Sequence, residues 1–249
     1  ASLNRYFNRM IDHIDELMQR NVKEQAEKRK SEMKALQAQI NPHFLYNTLD
    51  SIIWMIETDD SEEAIKMTSV LARFFRQAIG NSDVFVTIWR ELEYTRNYLL
   101  IQQMRYRDKI TFDIEVDEEI YDCRIVKLVL QPLVENALYH GLKYKTQQGN
   151  ITITGYRDKE RVVIRVIDNG IGIAEDKLEN IFSISESKKK QSQHTGVGLG
   201  NIQSRLKLYY GAECGIQVES RINIGTTITV TIPYQKGELS EGGNSDAKN

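Results

Sequence analysis

Three polar, glycine-studded segments in the second half of the sequence, and one histidine in the first half, carry residue types from which phosphate chemistry is built. Glu135-Asn136-Ala137-Leu138-Tyr139-His140-Gly141 sets a carboxylate, an amide and an imidazole within two helical turns. Asn136 and His140 are four residues apart and so share a helix face. An amide oxygen is a hard ligand of the kind Mg²⁺ takes, and that ion keeps several waters while bridging substrate phosphates. His140 and Lys143 are spaced to donate to phosphate oxygens. Asp168-Asn169-Gly170-Ile171-Gly172 ends an apolar alternation through Val162, Ile164 and Val166. A carboxylate at a strand end, beside glycines that permit close backbone approach, can accept from an exocyclic amine such as that of adenine; a plain Asp-Asn-Gly turn reads the same way. Gly196-Val197-Gly198-Leu199-Gly200-Asn201 opens a helix, where free N–H groups favour anions. Its spacing is neither a Walker loop nor a Gly-x-Gly-x-x-Gly turn after a strand, so a dinucleotide fold is disfavoured.

The histidine is His43, in Asn41-Pro42-His43-Phe44-Leu45-Tyr46-Asn47. At about 100° per residue, Leu45, Leu49, Ile52 and Ile56 cluster within roughly 60°, and His43 falls roughly 150° from them. Asn47, Asp50 and Trp54 share its stripe at i+4, i+7 and i+11. The ring is therefore predicted to be exposed. Pro42, directly before it, removes a backbone hydrogen bond and loosens or kinks a helix, at about 3 kcal/mol in a helix interior. With an ordinary pKa of about 6.5, histidine is mostly neutral at pH 7 and able to act as a nucleophile.

The elements that must hold these groups are legible as well. Leu3, Phe7, Met10, Ile14 and Leu17 alternate spacings of four and three, the seam of a coiled coil or bundle. After a charged stretch from Lys23 to Lys34, Met33, Leu36 and Ile40 resume the stripe in a shifted register. A helix that only dimerises and one that transmits a signal share this pattern. A second helix reads from Ser61, with Glu62 and Glu63 in its first turn, to a stop at Gly80-Asn81. A third runs from about Thr87 to Arg107. Strand alternation then appears at 110–116, 151–156, 161–167, 216–220 and 226–232, between helices near 124–141, 174–182 and 199–209. This order predicts an α+β sandwich. The tail after Pro233 has a disordered composition.

A net charge of −2 and a pI near 6.2 argue against a nucleic-acid binder, whose phosphate contacts need a basic footprint. Cys123 and Cys214 stand in no metal-ligand spacing and fit a reducing compartment without a disulfide. No run approaches the roughly 20 apolar residues of a membrane span, and no signal peptide is present. The sequence opens at Ala1, without Met and in mid-helix pattern, which predicts a piece of a longer chain.

In order and chemistry the three segments resemble the N, G1 and G2 boxes of the Bergerat-fold ATPases, a group including gyrase, a heat-shock chaperone, mismatch-repair proteins and histidine kinases. Leu36-Gln37-Ala38-Gln39-Ile40-Asn41-Pro42-His43-Phe44-Leu45-Tyr46-Asn47-Thr48-Leu49 is similar to the phosphoacceptor motif of the LytS/YesM-type sensor histidine kinases. Glu91-Leu92-Glu93-Tyr94, Asn97-Tyr98-Leu99 and Arg205-Leu206-Lys207-Leu208-Tyr209-Tyr210-Gly211 agree further. The likeness covers roughly residues 33–234. It implies an α+β chain: a long N-terminal helix and a dimerising helical hairpin, followed by an α/β sandwich of the Bergerat ATPase type. By that likeness, residues 1–32 are a signalling or linker coiled-coil helix, 33–83 the dimerisation and phosphotransfer hairpin, 84–235 the catalytic ATP-binding domain and 236–249 a disordered tail.

The function implied is Mg·ATP-dependent autophosphorylation of His43, followed by transfer to an aspartate on a response-regulator receiver domain. The implied setting is a homodimer, the cytoplasmic portion of a bacterial sensor anchored in the cell membrane upstream, with no nucleic-acid partner. Carried over position by position, His43 matches the phosphoacceptor, Asn136 the Mg²⁺ ligand with Glu135 beside it, and His140 and Lys143 the phosphate-side donors. Asp168 matches the adenine-binding aspartate, with Gly170 and Gly172 its supporting turn. Gly196, Val197, Gly198, Leu199, Gly200 and Asn201 match the phosphate-side glycine box, hinge of a lid at about 183–198. Thr227 matches the threonine that reaches adenine through water. Larger histidine-kinase families place an acidic base directly after the histidine, where this sequence has Phe44. Asp50 is two turns away, roughly 10 Å along the axis, and the base at His43 stays open. Asn47 is in position to orient a water for dephosphorylation.

Overall fold

Helix α1 spans Pro42–Glu57 in the computed structural model, which describes residues 42–79, 83–143, 145–178, 181 and 197–236. The heptad seam, the approach to Pro42, Gly196, most of the expected lid and the tail beyond Lys236 lie outside the described residues; Tyr234, at the start of the sequence-predicted tail, is held by its N–H on the Glu160 carbonyl at 2.9 Å. Helix α1 stops because Asp59 takes φ +59° and the Asp60 N–H reaches back to the Met55 carbonyl at 2.8 Å, a left-handed C-terminal cap. Helix α2, Ser61–Ile79, follows with Glu62 and Glu63 in its first turn, where carboxylates suit the dipole. The chain divides into two compact units, residues 1–54 and 55–249, so α2 belongs with everything after it.

Strand β1, Phe85–Thr87, leads into α3, Ile88–Tyr106, whose N-cap is Thr87, accepting from the Arg90 N–H. Helix α2 buries Met67, Val70, Leu71 and Phe74, and α3 lies against it. The Phe74 ring stacks on Tyr94 at 4.6 Å, and the Asn97 amide donates to Gln77 at 2.9 Å. Next come β2 (Ile110–Val116), β3 (Arg124–Val126), α4 (Leu130–Asn136), β4 (Gly149–Asp158), β5 (Arg161–Asp168), the single turn α5 (Glu175–Leu178), α6 (Val197–Tyr210), β6 (Gly215–Arg221) and β7 (Gly225–Pro233). Helix α4 runs straight into a wide π turn, Ala137–Leu142. The expectation of one helix near 124–141 is corrected here. Its first three residues pair with β1, Val86 opposite Ile125, and the helix begins only at Leu130.

The main sheet has the order β2-β4-β5-β7-β6, with β2 parallel to β4 and the other pairs antiparallel. Its two faces alternate as a half-solvated sheet must. Ile153, Val166 and Ile228 form one buried row, and Gly155, Ile164, Val230 and Ile216 the next. Helices α3, α4 and α6 supply the facing apolar side chains, among them Leu99, Leu133 and Leu206. The opposite face is polar, with Thr154, Arg165, Thr229 and Gln217 in register. The α+β sandwich read from the sequence is the one observed. Among the described residues no helix is long and apolar enough to cross a membrane.

Candidate functional site

The last buried row of the sheet departs from the apolar pattern: Ile151, Asp168, Thr226 and Ser220 stand opposite one another on the helix-covered face. Asp168 is only 7% exposed. Its Oδ1 accepts from the Gly170 N–H at 2.8 Å, and the Thr226 N–H also bonds the carboxylate. Burial outweighs these bonds and the nearby Lys145 charge, so the pKa rises from its ordinary 3.8 to about 6. Gly141 forms the roof. A Cβ there would stand 2.7 Å from Asp168 Oδ1, so only glycine lets the π turn close on the carboxylate. The Ile171 N–H bonds the Gly141 carbonyl at 3.0 Å, joining that turn to the Asp-Asn-Gly loop. Gly172 takes φ +70°, a Cβ there would run into the Arg221 carbonyl, and the Asn223 N–H donates to the Ile171 carbonyl at 2.8 Å, docking the loop on the β6–β7 hairpin.

The π turn is closed by the Lys143 N–H to the Leu138 carbonyl at 3.0 Å, five residues back. Such turns inside helices are rare and occur often at functional sites. It carries half-buried His140 and packs against β4, β5 and β7, while Lys143 is exposed at its end. The cation beside Asp168 is Lys145, whose Nζ donates to the Asn169 carbonyl at 2.7 Å. Asn136 ends α4 with its Nδ2 buried and without a hydrogen-bond partner among the described residues. Glu135 turns the other way. It accepts from Gln131 at 2.9 Å, its pKa is raised by burial, and its charge raises those of Tyr94, Tyr98 and Tyr139. That places it toward α3, away from Asp168.

Val197 and Gly198 open α6, Leu199 and Gly200 are buried in it, and Asn201 is exposed on its first turn. The strand register separates the two adjacent threonines. Thr227 pairs with Ile167 and Glu219 on the solvated face, whereas Thr226 is buried opposite Asp168, its Oγ1 2.9 Å from Ser220 Oγ. A strand reverses side at every residue, so only Thr226 shares the face of Asp168.

His43, in the other unit, is exposed as the helical stripe requires. The Asn47 amide nitrogen lies 3.1 Å from each ring nitrogen and donates to whichever is unprotonated. Asn47 therefore engages the ring itself, a contact that the i+4 spacing contained.

Residues 31–110 match the family model for histidine kinase, and residues 122–236 that for histidine kinase-, DNA gyrase B- and HSP90-like ATPases. The sequence is 39% identical over 231 residues, 93% of this chain, to sensor histidine kinase YesM of Bacillus subtilis (strain 168). It is 35% identical over 204 residues, 82% of this chain, to sensor protein LytS of Staphylococcus haemolyticus (strain JCSC1435). The chain belongs to the LytS/YesM family of sensor histidine kinases. It spans 38% and 34% of the length of these two relatives. Among solved structures, the catalytic domain of histidine kinase ThkA superposes with a TM-score of 0.46 at 26% identity, covering 60% of this chain and 94% of that one.

In this family member, Asp168, Thr226, Gly141, Gly170 and Lys145 gather at one end of the main sheet, and Asn136 stands at the other end of the π turn. Among the described residues no cluster of three His, Cys, Asp or Glu side chains could cage a metal. The unpartnered atom of Asn136 is its amide nitrogen, a donor; the oxygen of the same amide is the end that would suit Mg²⁺, with phosphates and water supplying the other ligands.

Proposed function

We propose that this chain autophosphorylates His43 from Mg·ATP and hands the phosphoryl group to an aspartate of a response-regulator receiver domain. The observation that carries the reading is an exposed imidazole, engaged by Asn47, on a chain that also buries Asp168 at a strand end between Gly141, Gly170 and Thr226. Asp168 accepts from the adenine amine, and Thr226 and Lys145 flank it. Asn136 would hold Mg²⁺, which when bound neutralises phosphate charge; His140, Lys143 and the amides opening α6 add donors on the phosphate side. A ring nitrogen of His43 forms the N–P bond as the bond from the γ-phosphorus to the bridging oxygen breaks, and ADP leaves. With Phe44 in the position of an acidic base, the ring proton passes to water. Asn47 fixes the ring plane through its amide.

The protein acts as a homodimer through its helical region, as the cytoplasmic portion of a sensor anchored in the bacterial membrane. Labelling with ATP carrying γ-³²P tests the core of this. The wild-type chain should acquire acid-labile, base-stable label, and His43→Gln should lose it while binding ATP as before. Label surviving in His43→Gln moves the phosphoacceptor elsewhere; none in the wild type makes the chain a nucleotide-binding scaffold.

A further inference from the structure

The carboxylate of Glu91 is buried more deeply than that of Asp168, at 1% exposure. It accepts three backbone N–H groups: Leu128 at 3.0 Å, Val129 at 2.8 Å and Leu130 at 2.9 Å. These amides begin α4, where Val129 offers no side-chain cap. On the other side of the same loop, Arg205 donates to the carbonyls of Lys127 at 2.7 Å and Leu128 at 3.3 Å. Leu128, between them, holds φ +61°. A leucine there is strained and persists only where its surroundings over-determine it. The loop is thus gripped by an anion on its amides and a cation on its carbonyls, one from α3 and one from α6. Burial raises the Glu91 pKa, and the three amides and then Arg205 oppose that rise.

A local Ser, Asn or Asp at position 129 would cap the helix without the penalty of burying a charge. What the remote carboxylate adds is a fixed relation between elements. Helix α3 is packed on α2, α4 ends at Asn136, and α6 opens with the glycine box. We propose that Glu91 is a positioning residue. By holding the start of α4 against α3 it sets where Asn136 stands at the far end, and Arg205 holds the same loop from its carbonyl side. The proposal rests on the reading of Asn136 as the Mg²⁺ ligand. Asp168 is anchored independently, by Gly170 and Thr226, so the two ends of the cleft are separable in experiment.

Calorimetric titration of adenosine, ATP with EDTA and ATP with Mg²⁺ into the full chain reads the two ends apart. Asn136→Ala should abolish the gain in ATP affinity that Mg²⁺ gives. Glu91→Gln and Arg205→Lys should cut that gain about tenfold or more, the usual scale for residues supporting a metal ligand, with adenosine affinity unchanged. If adenosine and ATP affinities fall together in step with Tm, the role is structural only and the proposal is overturned; an unchanged Mg²⁺ gain overturns it equally. Should Glu91→Gln not fold, Arg205→Lys alone separates these outcomes. A wild-type chain that gains nothing from Mg²⁺ removes the metal role of Asn136 first, and the positioning role with it.

Discussion

Asp168 is a charge kept where burial opposes it, and the consequence is a pH dependence of definite sign. Its folded pKa, about 6, lies above the ordinary 3.8, so the folded state holds the proton more tightly than the unfolded chain. Stability from this group is complete below about pH 4 and is lost as pH rises through about 6, on the order of 3 kcal/mol at neutral pH. Asp168→Asn, neutral and isosteric, should therefore match or exceed the wild type in Tm at pH 7 and lose that advantage toward pH 4. Nucleotide affinity should run oppositely. Wild-type binding should strengthen as the carboxyl ionises through about pH 6, while Asp168→Asn stays weak and flat. A wild-type affinity with no inflection between pH 5 and 7 would remove adenine recognition from this side chain. Asp168 is legible in the sequence because a carboxylate at a strand end next to two glycines is a local pattern. Thr226 and Lys145 are not. Choosing between Thr226 and Thr227 needs the strand register, and finding Lys145 beside Asp168 needs the end of a π turn whose extra residue no local pattern announces.

Elements with their own start and stop chemistry are legible to within a residue or two: α2 from Ser61, α3 from its Thr87 cap, and the five strands of the main sheet. The region 124–142 is not, because its boundaries are set from elsewhere in the chain. Strand β3 exists through its pairing with β1, and α4 begins where Glu91, nearly forty residues earlier, supplies the cap. The π turn is likewise imposed by its contact, since Gly141 must reach Asp168. This yields a prediction for the element. Gly141→Ala sets a methyl 2.7 Å from Asp168 Oδ1, and the turn or the carboxylate must give way. Overpacking of this kind costs about 1–3 kcal/mol, so Tm should fall and ATP affinity should drop about tenfold or more. Wild-type affinity in Gly141→Ala would mean that the contact between turn and carboxylate is not what shapes the adenine end.

At the scale of the whole molecule, the main sheet buries the rows that face its helices, whereas α1 leaves a row of apolar side chains exposed. Tyr46, Leu49, Ile53 and Ile56 recur at spacings of three, four and three with exposures of 67, 42, 53 and 57%. Large apolar side chains in an unbroken row are rarely left in water, and this spacing is that of a helix seam built to meet another helix. His43 lies roughly 100° round the helix from the middle of the row. Pairing two copies along the row would therefore keep the imidazole outside the seam, open to a triphosphate and later to a receiver domain. Phe44 and Thr48 are buried on the remaining side, so three faces of one helix have three different tasks. Replacing Leu49 and Ile53 together with aspartate should convert a sedimenting dimer into a monomer. ATP affinity should remain at the wild-type value, because the proposed adenine site draws on residues 141–226 of a single chain. Two outcomes count against this seam: a wild-type chain that sediments as a monomer, or a doubly charged variant that remains a dimer. Loss of ATP binding along with the dimer would instead show that the cleft is completed across the pair.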